Sequence, residues 1–441
     1  MQFRFVTGVV CGALYIASVY AETETPATTP PPLPSPLTLT QALAHADDVH
    51  PDIELAKARM DLSQAQADAT RASTGLEIKG QILPQYVERA NPLLDFVNTD
   101  HQAHLIITKR LYDFGASAAQ RDAADSLLAS SSLDYLDVRQ KRRLEIMRRF
   151  FDVLLADLRY MVDNEAMAHA YVNYDRIRER HQLGQISEVD LAAAETRYRE
   201  FLVSRNKSQI EQRASRQRLA NALNRPGELS DKLERPPLNG NEREIPDFDE
   251  MLTAVLQSNP NVQRLRQEVA AAEAALVAEK KQSGPTLDAE FQTSYYERVD
   301  GSRDKVRAAL NLRIPIYQGG RDDADVAKVQ ALLLGKQAEL KKAEFDLRQQ
   351  LLDLVQKLEL LKVEQQTART RSDYRDLYLD RSRALYEMEA EVTLGDAMTK
   401  MTEAQWRAAQ VEFDLAIAWA QLDAMRGTLI VAPEEKNKAE K

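Results

Sequence analysis

The sequence predicts a mostly α-helical chain with a small β component, built twice over from one helix–strand–strand–helix–helix unit. Three observations carry this. His50-Pro51-Asp52-Ile53 and Asn259-Pro260-Asn261-Val262 each open an Ala-rich helical stretch followed by two alternating, strand-like stretches. Each strand pair ends in a similar turn, Leu111-Tyr112-Asp113-Phe114-Gly115 and Ile316-Tyr317-Gln318-Gly319-Gly320. Each turn then launches a very long helix without proline. The internal period is roughly two hundred residues, too long for a solenoid and right for a duplicated half-domain.

The ends of the chain read differently. Residues 1–21 have the form of a secretory signal, with Arg4, an apolar run from Val6 to Ile16 and a Val19-Tyr20-Ala21 cleavage site. Cys11 lies within it, so the mature chain has no cysteine and disulfides are excluded despite export. Residues 22–36 form a Pro-rich leader expected to stay extended, 228–246 a linker, and 430–441 a polar tail. The repeats occupy 37–227 and 247–429. A formal charge of −10 gives no footprint for nucleic acid. After the signal no apolar run is long enough for a membrane helix, leaving a soluble exported protein or a membrane protein made of strands.

The strands fit either reading, a soluble sheet with one wet face or strands that span a bilayer. Leu76, Ile78, Gly80 and Ile82 alternate with Glu77, Lys79 and Gln81. Ala103, Leu105 and Ile107 alternate with His104, Ile106 and Thr108. Leu287, Ala289, Phe291 and Thr293 alternate with Asp288, Glu290, Gln292 and Ser294, and Val306, Ala308, Leu310 and Leu312 with Arg307, Ala309, Asn311 and Arg313. Strict alternation marks strands with two unlike faces, and about ten residues is the length a tilted strand needs to cross a bilayer. If the strands span a membrane, Leu76, Ile78, Leu105, Ile107, Leu287, Phe291, Leu310 and Leu312 are the residues assigned to lipid. Tyr86, Tyr295 and Tyr296 at one end and Tyr112 and Tyr317 at the other bracket the stretches as interfacial girdles do. Four strands cannot close a barrel and lipid does not tolerate open edges, so if the strands span a membrane several chains must each contribute four.

The long helices run from Gly115 to about Gln182 and from Gly320 to about Tyr386, each on the order of 100 Å. Leu144, Met147, Phe151, Leu154, Leu158 and Met161 mark one seam, and Leu347, Leu351, Leu354, Leu358 and Leu361 the other, both at heptad spacing. Each helix breaks at a short turn. At the first, Gly184 is placed at C′ and Ser187 at the next N-cap; the second, Glu387 to Thr393, has no glycine. The returning helices are about half as long. The helices before the strands, about 37–72 and 247–281, supply the other half, so one long helix pairs with two short ones stacked end to end.

In this order and spacing the chain resembles the TolC family of outer-membrane efflux proteins over nearly its whole mature length. The resemblance rests on the duplicated element order, the two X-Pro entries, Ile314-Pro315-Ile316-Tyr317-Gln318-Gly319-Gly320 and the tip Leu183-Gly184-Gln185-Ile186-Ser187-Glu188-Val189-Asp190-Leu191. It implies a homotrimer in the outer membrane of a Gram-negative bacterium. A twelve-stranded barrel would lie in outer-membrane lipid and a periplasmic α-barrel tunnel of coiled-coil hairpins below it. It further implies a passive export duct that docks a periplasmic membrane-fusion adaptor and an inner-membrane pump or ABC transporter. The tip residues Leu183, Gly184, Ser187, Met388, Glu389 and Val392 are the expected docking points, and Asp396 and Asp190 the expected carboxylates of a pore gate. Two departures stand out: the second tip lacks glycine, and the turn at Phe114-Gly115 has one glycine where its counterpart has two.

Other constellations carry less. His45 and His50 lie near Asp47 and Asp48, and His101 near His104, but neither group is a complete metal set. Met388, Met398 and Met401 fit packing before copper export. No nucleophile–base set or phosphate-binding loop occurs, so neither enzyme chemistry nor a cofactor is expected. The competing class is a periplasmic coiled-coil adaptor or scaffold whose sheets stay soluble. Such a protein has one hairpin beside compact β-domains, not two hairpins following strand pairs.

Overall fold

A computed structural model describes residues 32–48, 50–87, 99–228, 232–298, 303–388 and 394–430. The signal segment, most of the leader and nearly all of the tail lie outside these residues, as do Glu389 and Val392. The first repeat contains α1 (Leu39–Ala44), a 3-10 turn at His45–Asp47, α2 (Pro51–Ala72), β1 (Leu76–Leu83), β2 (Gln102–Tyr112), α3 (Ala116–Gln182) and α4 (Glu188–Ala222). The second contains α5 (Phe248–Ser258), α6 (Pro260–Gln282), β3 (Thr286–Tyr296), β4 (Val306–Arg313), α7 (Arg321–Glu387) and α8 (Leu394–Met425). Among the described residues no helix is long and apolar enough to cross a membrane.

The long helices α3 and α7 are each 67 residues. Both start from a left-handed glycine, Gly115 at φ +89° and Gly320 at φ +77°, which turns the chain sharply from strand into helix. One residue earlier the repeats differ. Gly319 takes φ +67°, and Phe114 takes φ +56° in the same place. A left-handed conformation costs a non-glycine residue roughly 1–2 kcal/mol. Phe114 offsets part of this by packing edge-on against Tyr112, centroids 4.7 Å apart. Asp113 completes the turn by accepting from the N–H groups of Gly115 (3.2 Å) and Ser117 (2.9 Å).

Each helix expected before the strands is two helices, α1–α2 and α5–α6, because Pro51 and Pro260 force the preceding residue out of the helical region. These breaks create two end-to-end joints, solved in different ways. In the second repeat Asn259 Oδ1 caps α6 through the N–H groups of Asn261 and Val262, while its Nδ2 donates to the Met425 carbonyl at the end of α8 (3.1 Å). In the first, His50 caps α2, and the open carbonyl of Ala222 at the end of α4 is met by the buried guanidinium of Arg142.

The helices lie side by side. Toward the tips the order is α4–α3–α8–α7; toward the strands it is α2–α3–α6–α7. The second seam is buried as expected, with Leu351 and Leu358 fully enclosed in a cluster with Val255, Val262 and Leu415. The first seam is buried in part: Phe151 is enclosed, and Met147, Leu154 and Leu158 pack against its cluster. Ile146, Phe150, Phe151 and Val153 are the enclosed residues, whereas Leu144, Met147, Leu154 and Leu158 are only partly buried and Met161 is 52% exposed. The reason is that α3 has neighbours on two sides, so its core stripe is wider than a single coiled-coil seam and turned from the one read. Phe151 stacks flat on Phe413 of α8 at 4.5 Å within this core.

The linker straps α8. Arg243 lies over the Trp419 ring (4.6 Å) and bonds to Asp423 (3.0 Å), and Asn241 donates to the Glu412 carbonyl (2.9 Å). The leader is not wholly free: Leu33 packs against the core cluster around Phe150 and Phe413. Just beyond the leader, fully buried Leu37 forms a parallel bridge to Leu233.

Candidate functional site

The four strands form one antiparallel sheet in the order β1-β2-β3-β4. The two repeats thus meet at β2–β3, and β1 and β4 are its open edges. The register stacks the alternating residues into rows. Leu76 pairs with Lys109, Lys109 with Ala289, and Ala289 with Leu310. The next row is Ile78, Ile107, Phe291 and Ala308, and the one beyond is Gly80, Leu105, Thr293 and Val306. Ile82, Ala103 and Tyr295 follow toward the far end, and Tyr112, Leu287 and Leu312 form the row nearest the helices. All eight residues assigned to lipid fall on this one face. Its large side chains are open, with Ile78 at 60% and Leu310 at 70% exposure.

The opposite face is polar and laced together. Arg110 bonds to Asp288 (3.2 Å), Arg307 to Glu290, and Lys79 to Glu77 (2.9 Å). Asn311 donates to Glu290 (3.4 Å), and His104 shares a hydrogen bond with Ser294 (2.8 Å). Tyr296 belongs here and not to the outer girdle. It stands edge-on to His104 at 5.6 Å and beneath the Arg303 guanidinium at 5.1 Å. Alternation decides this: neighbouring Tyr295 and Tyr296 must take opposite faces.

Beyond the far end of the strands a network missed by sequence reasoning joins the two hairpins. Arg303 forms two 2.7 Å bonds to Asp100, which is 4% exposed. Glu297 accepts from the His101 N–H (2.8 Å) and from Thr99 (3.1 Å). The Arg303 hydrogen bonds hold the Asp100 carboxyl down at about 2, against the desolvation that opposes them. The partners are some two hundred positions apart, and no local pattern pairs them.

At the other end of the molecule the first tip is a Schellman turn. Gln185 N–H donates to the Arg180 carbonyl (3.0 Å) and Gly184 N–H to that of His181 (2.8 Å), with Gly184 at φ +72°. Ser187 then caps α4 by accepting from the Asp190 N–H (3.2 Å), and its hydroxyl donates to the Asp190 carboxylate (2.7 Å). Leu183 is 71% exposed, and Met388, which stands at the matching end of α7, is 67% exposed. Asp396 lies in the first turn of α8 and bonds to Lys400 (2.5 Å), raising the lysine's pKa through that hydrogen bond. Close by, α8 rests on α3: a Cβ at Gly395 would come within 2.2 Å of the His169 ring.

A sheet with one largely apolar and one polar face is thus set on helices about 100 Å long. Residues 251–428, nearly the whole second repeat, match the family model of outer membrane efflux proteins. The second repeat thus carries the sequence pattern of outer membrane efflux proteins, and the chain as a whole has the fold of TolC-type outer membrane channels. The fold is similar to that of the transmembrane channel CusC, with a TM-score of 0.73 and 14% identity over 88% of this chain and 91% of that one. It is also similar to the Campylobacter jejuni CmeC outer membrane channel, with a TM-score of 0.72 and 15% identity over 91% and 88%. The open state of the Neisseria gonorrhoeae MtrE outer membrane channel gives a TM-score of 0.72 and 15% identity over 89% of each chain. No curated relative matches by sequence.

Proposed function

We propose that three copies of the chain close one twelve-stranded barrel and one helical tunnel, and that the assembly is a passive export duct. The single observation that carries this is the sheet. Its outward face is apolar but for Lys109, its inner face is polar and ion-paired, and β1 and β4 are left unpaired. Hydrocarbon forbids unpaired edges, so neighbouring copies must supply them. Mass measurement of the detergent-solubilised protein is expected to give a trimer; a stable monomer or dimer would overturn the proposal.

The tips are where a periplasmic adaptor, and through it an inner-membrane pump, would dock. Leu183, Gly184, Ser187 and Met388 lie farthest along the hairpins from the strands, with Glu389 and Val392 in the adjoining segment. The cleaved signal and the two-repeat division at 37–227 and 247–429 belong to the same reading.

For the gate, Asp396 at the start of α8 is the candidate for a three-fold carboxylate ring, with Asp190 the weaker one because Ser187 already holds it as a capping partner. The Lys400 ammonium partly neutralises Asp396. Asp396→Ala should therefore lower cation selectivity, and Lys400→Ala should raise it, most clearly at low salt. Reversal potentials across a planar bilayer read both. If neither variant shifts the potential, Asp396 is not at the constriction.

A further inference from the structure

The outward face carries one charged residue among the described positions, Lys109 in the middle of the row Leu76–Lys109–Ala289–Leu310. Three cations of the inner face have carboxylate partners, but Lys109 is exposed and its side chain has no hydrogen bond or ion pair among the described residues. Its neighbour on β3 is the small Ala289, which leaves the flank of the lysine open. Simple alternation would turn Leu111 outward and Tyr112 inward. A bulge between Arg110 and Tyr112 shifts the parity, so that Tyr112 pairs with the outward residue Leu287. Lys109 and Tyr112 thus lie on the same face, one row apart, and Tyr112 is 56% exposed, its phenol without a hydrogen-bond partner among the described residues.

Their height decides what they meet. Tyr112 is in the row nearest the helices. Lys109 is one row further in, about 7 Å along the strand and about 5 Å along the normal at a tilt of about 40°. A lysine stem spans that distance and snorkels toward the interface. We propose that Lys109 and Tyr112 form a binding site for the phosphate of a phospholipid in the periplasmic leaflet, the ammonium pairing with the charge and the phenol donating a hydrogen bond. The site favours lipids with net negative headgroups, because a zwitterionic headgroup brings its own ammonium to the same phosphate. The second repeat carries Ile314 six residues before Gly320, where Lys109 stands six before Gly115. There is therefore one site per chain.

This rests on the membrane-spanning trimer proposed above, and the test separates the two. The full mature trimer is reconstituted with spin-labelled phosphatidylglycerol or phosphatidylcholine, and the motionally restricted fraction of each label is measured. The expected result is a severalfold preference for phosphatidylglycerol that weakens with salt, is lost in Lys109→Met, survives in Lys109→Arg and falls about twofold in Tyr112→Phe. Lys109→Met makes the outward face more apolar and should insert at least as well as the parent. A parent without preference, or a Lys109→Met variant that keeps it, overturns the site; failure of the parent to insert overturns the membrane reading instead.

Discussion

Ala308 and Ala309 are adjacent on β4, and an arginine placed at each should have opposite consequences. Ala308 lies in the row with Ile78, Ile107 and Phe291, the middle of five outward rows. Rows are two residues apart, about 5 Å along the bilayer normal, so the middle row sits about 10 Å from either rim row, at the midplane. Arginine there costs roughly 2–4 kcal/mol per chain, and about three times that for a trimer. Ala309 faces the other way, opposite Glu290, so its arginine would enter a wet, charged lumen beside a carboxylate. Leu310→Arg, one row nearer the periplasmic rim, should fall between the two because its side chain reaches the interface. The assay is the yield of heat-modifiable trimer in the outer-membrane fraction, followed by urea titration of the purified protein in lipid. Ala308→Arg should collapse assembly while Ala309→Arg assembles normally. Equal behaviour of the pair would refute the claim that this face meets hydrocarbon.

Two further outcomes follow from the core and from the far loops. Leu358→Ala, at a fully enclosed position of the α7 seam, should cost about 2–5 kcal/mol in denaturant unfolding, with assembly at low temperature retained. Asp100 has a lowered folded-state pKa, so its link to Arg303 contributes stability that is complete above the ordinary carboxylate pKa near 3.8 and is lost as pH falls toward about 2. Asp100→Asn should therefore loosen the far loops at neutral pH, read as faster proteolysis there. Parent and variant should converge in acid, and a gap that persists at pH 2 would contradict this.

Much of this architecture is legible in the residues because the relevant periods are short. Alternation over Val306 to Arg313 assigns every β4 side chain to its face before any partner is known. Gly184 and Ser187 announce a C′ and an N-cap from local backbone requirements alone. What is not legible depends on distant pairing. The Arg110–Tyr112 bulge exists only because β2 meets a strand some 180 positions away, so Tyr112 cannot be assigned a face from β2 by itself. Asp100–Arg303 is hidden for the same reason. Phe114 hides its left-handed backbone, since only comparison with Gly319 at the matching place in the second repeat points to it. The first seam is only partly legible, because heptad spacing assumes one neighbour and α3 has several.

That asymmetry between α3 and α7 yields a last prediction. The two helices are equal in length and start from equivalent turns, yet α3 is flanked on both sides at every level, by α4 and α8 and by α2 and α6. Among the described residues helix α7 has one long helical neighbour at each level, α8 below and α6 above, with the short α5 packed on the same core cluster. Its other side carries Phe345, Val363, Tyr374 and Leu377, between 56% and 71% exposed, at successive spacings of eighteen, eleven and three residues that keep them on one stripe. The facing edge of the chain, α4 and α2, exposes Val203, Ile210, Leu55 and Leu62 in the same way. If the α4–α2 edge of the next copy packs against α7, then α7 acquires the surroundings that α3 has within its own chain, and every long helix becomes equivalent. Closing the ring is thus a completion of the duplication. Val363→Glu places a carboxylate in each of the three contacts, at roughly 3–5 kcal/mol per uncompensated buried charge, without touching the buried face at Leu358 and Leu361. It should yield a chain with parental helix content by circular dichroism that no longer sediments as a trimer in detergent. A Val363→Glu protein that remains a trimer as stable as the parent would mean that α7 meets water and not a second chain.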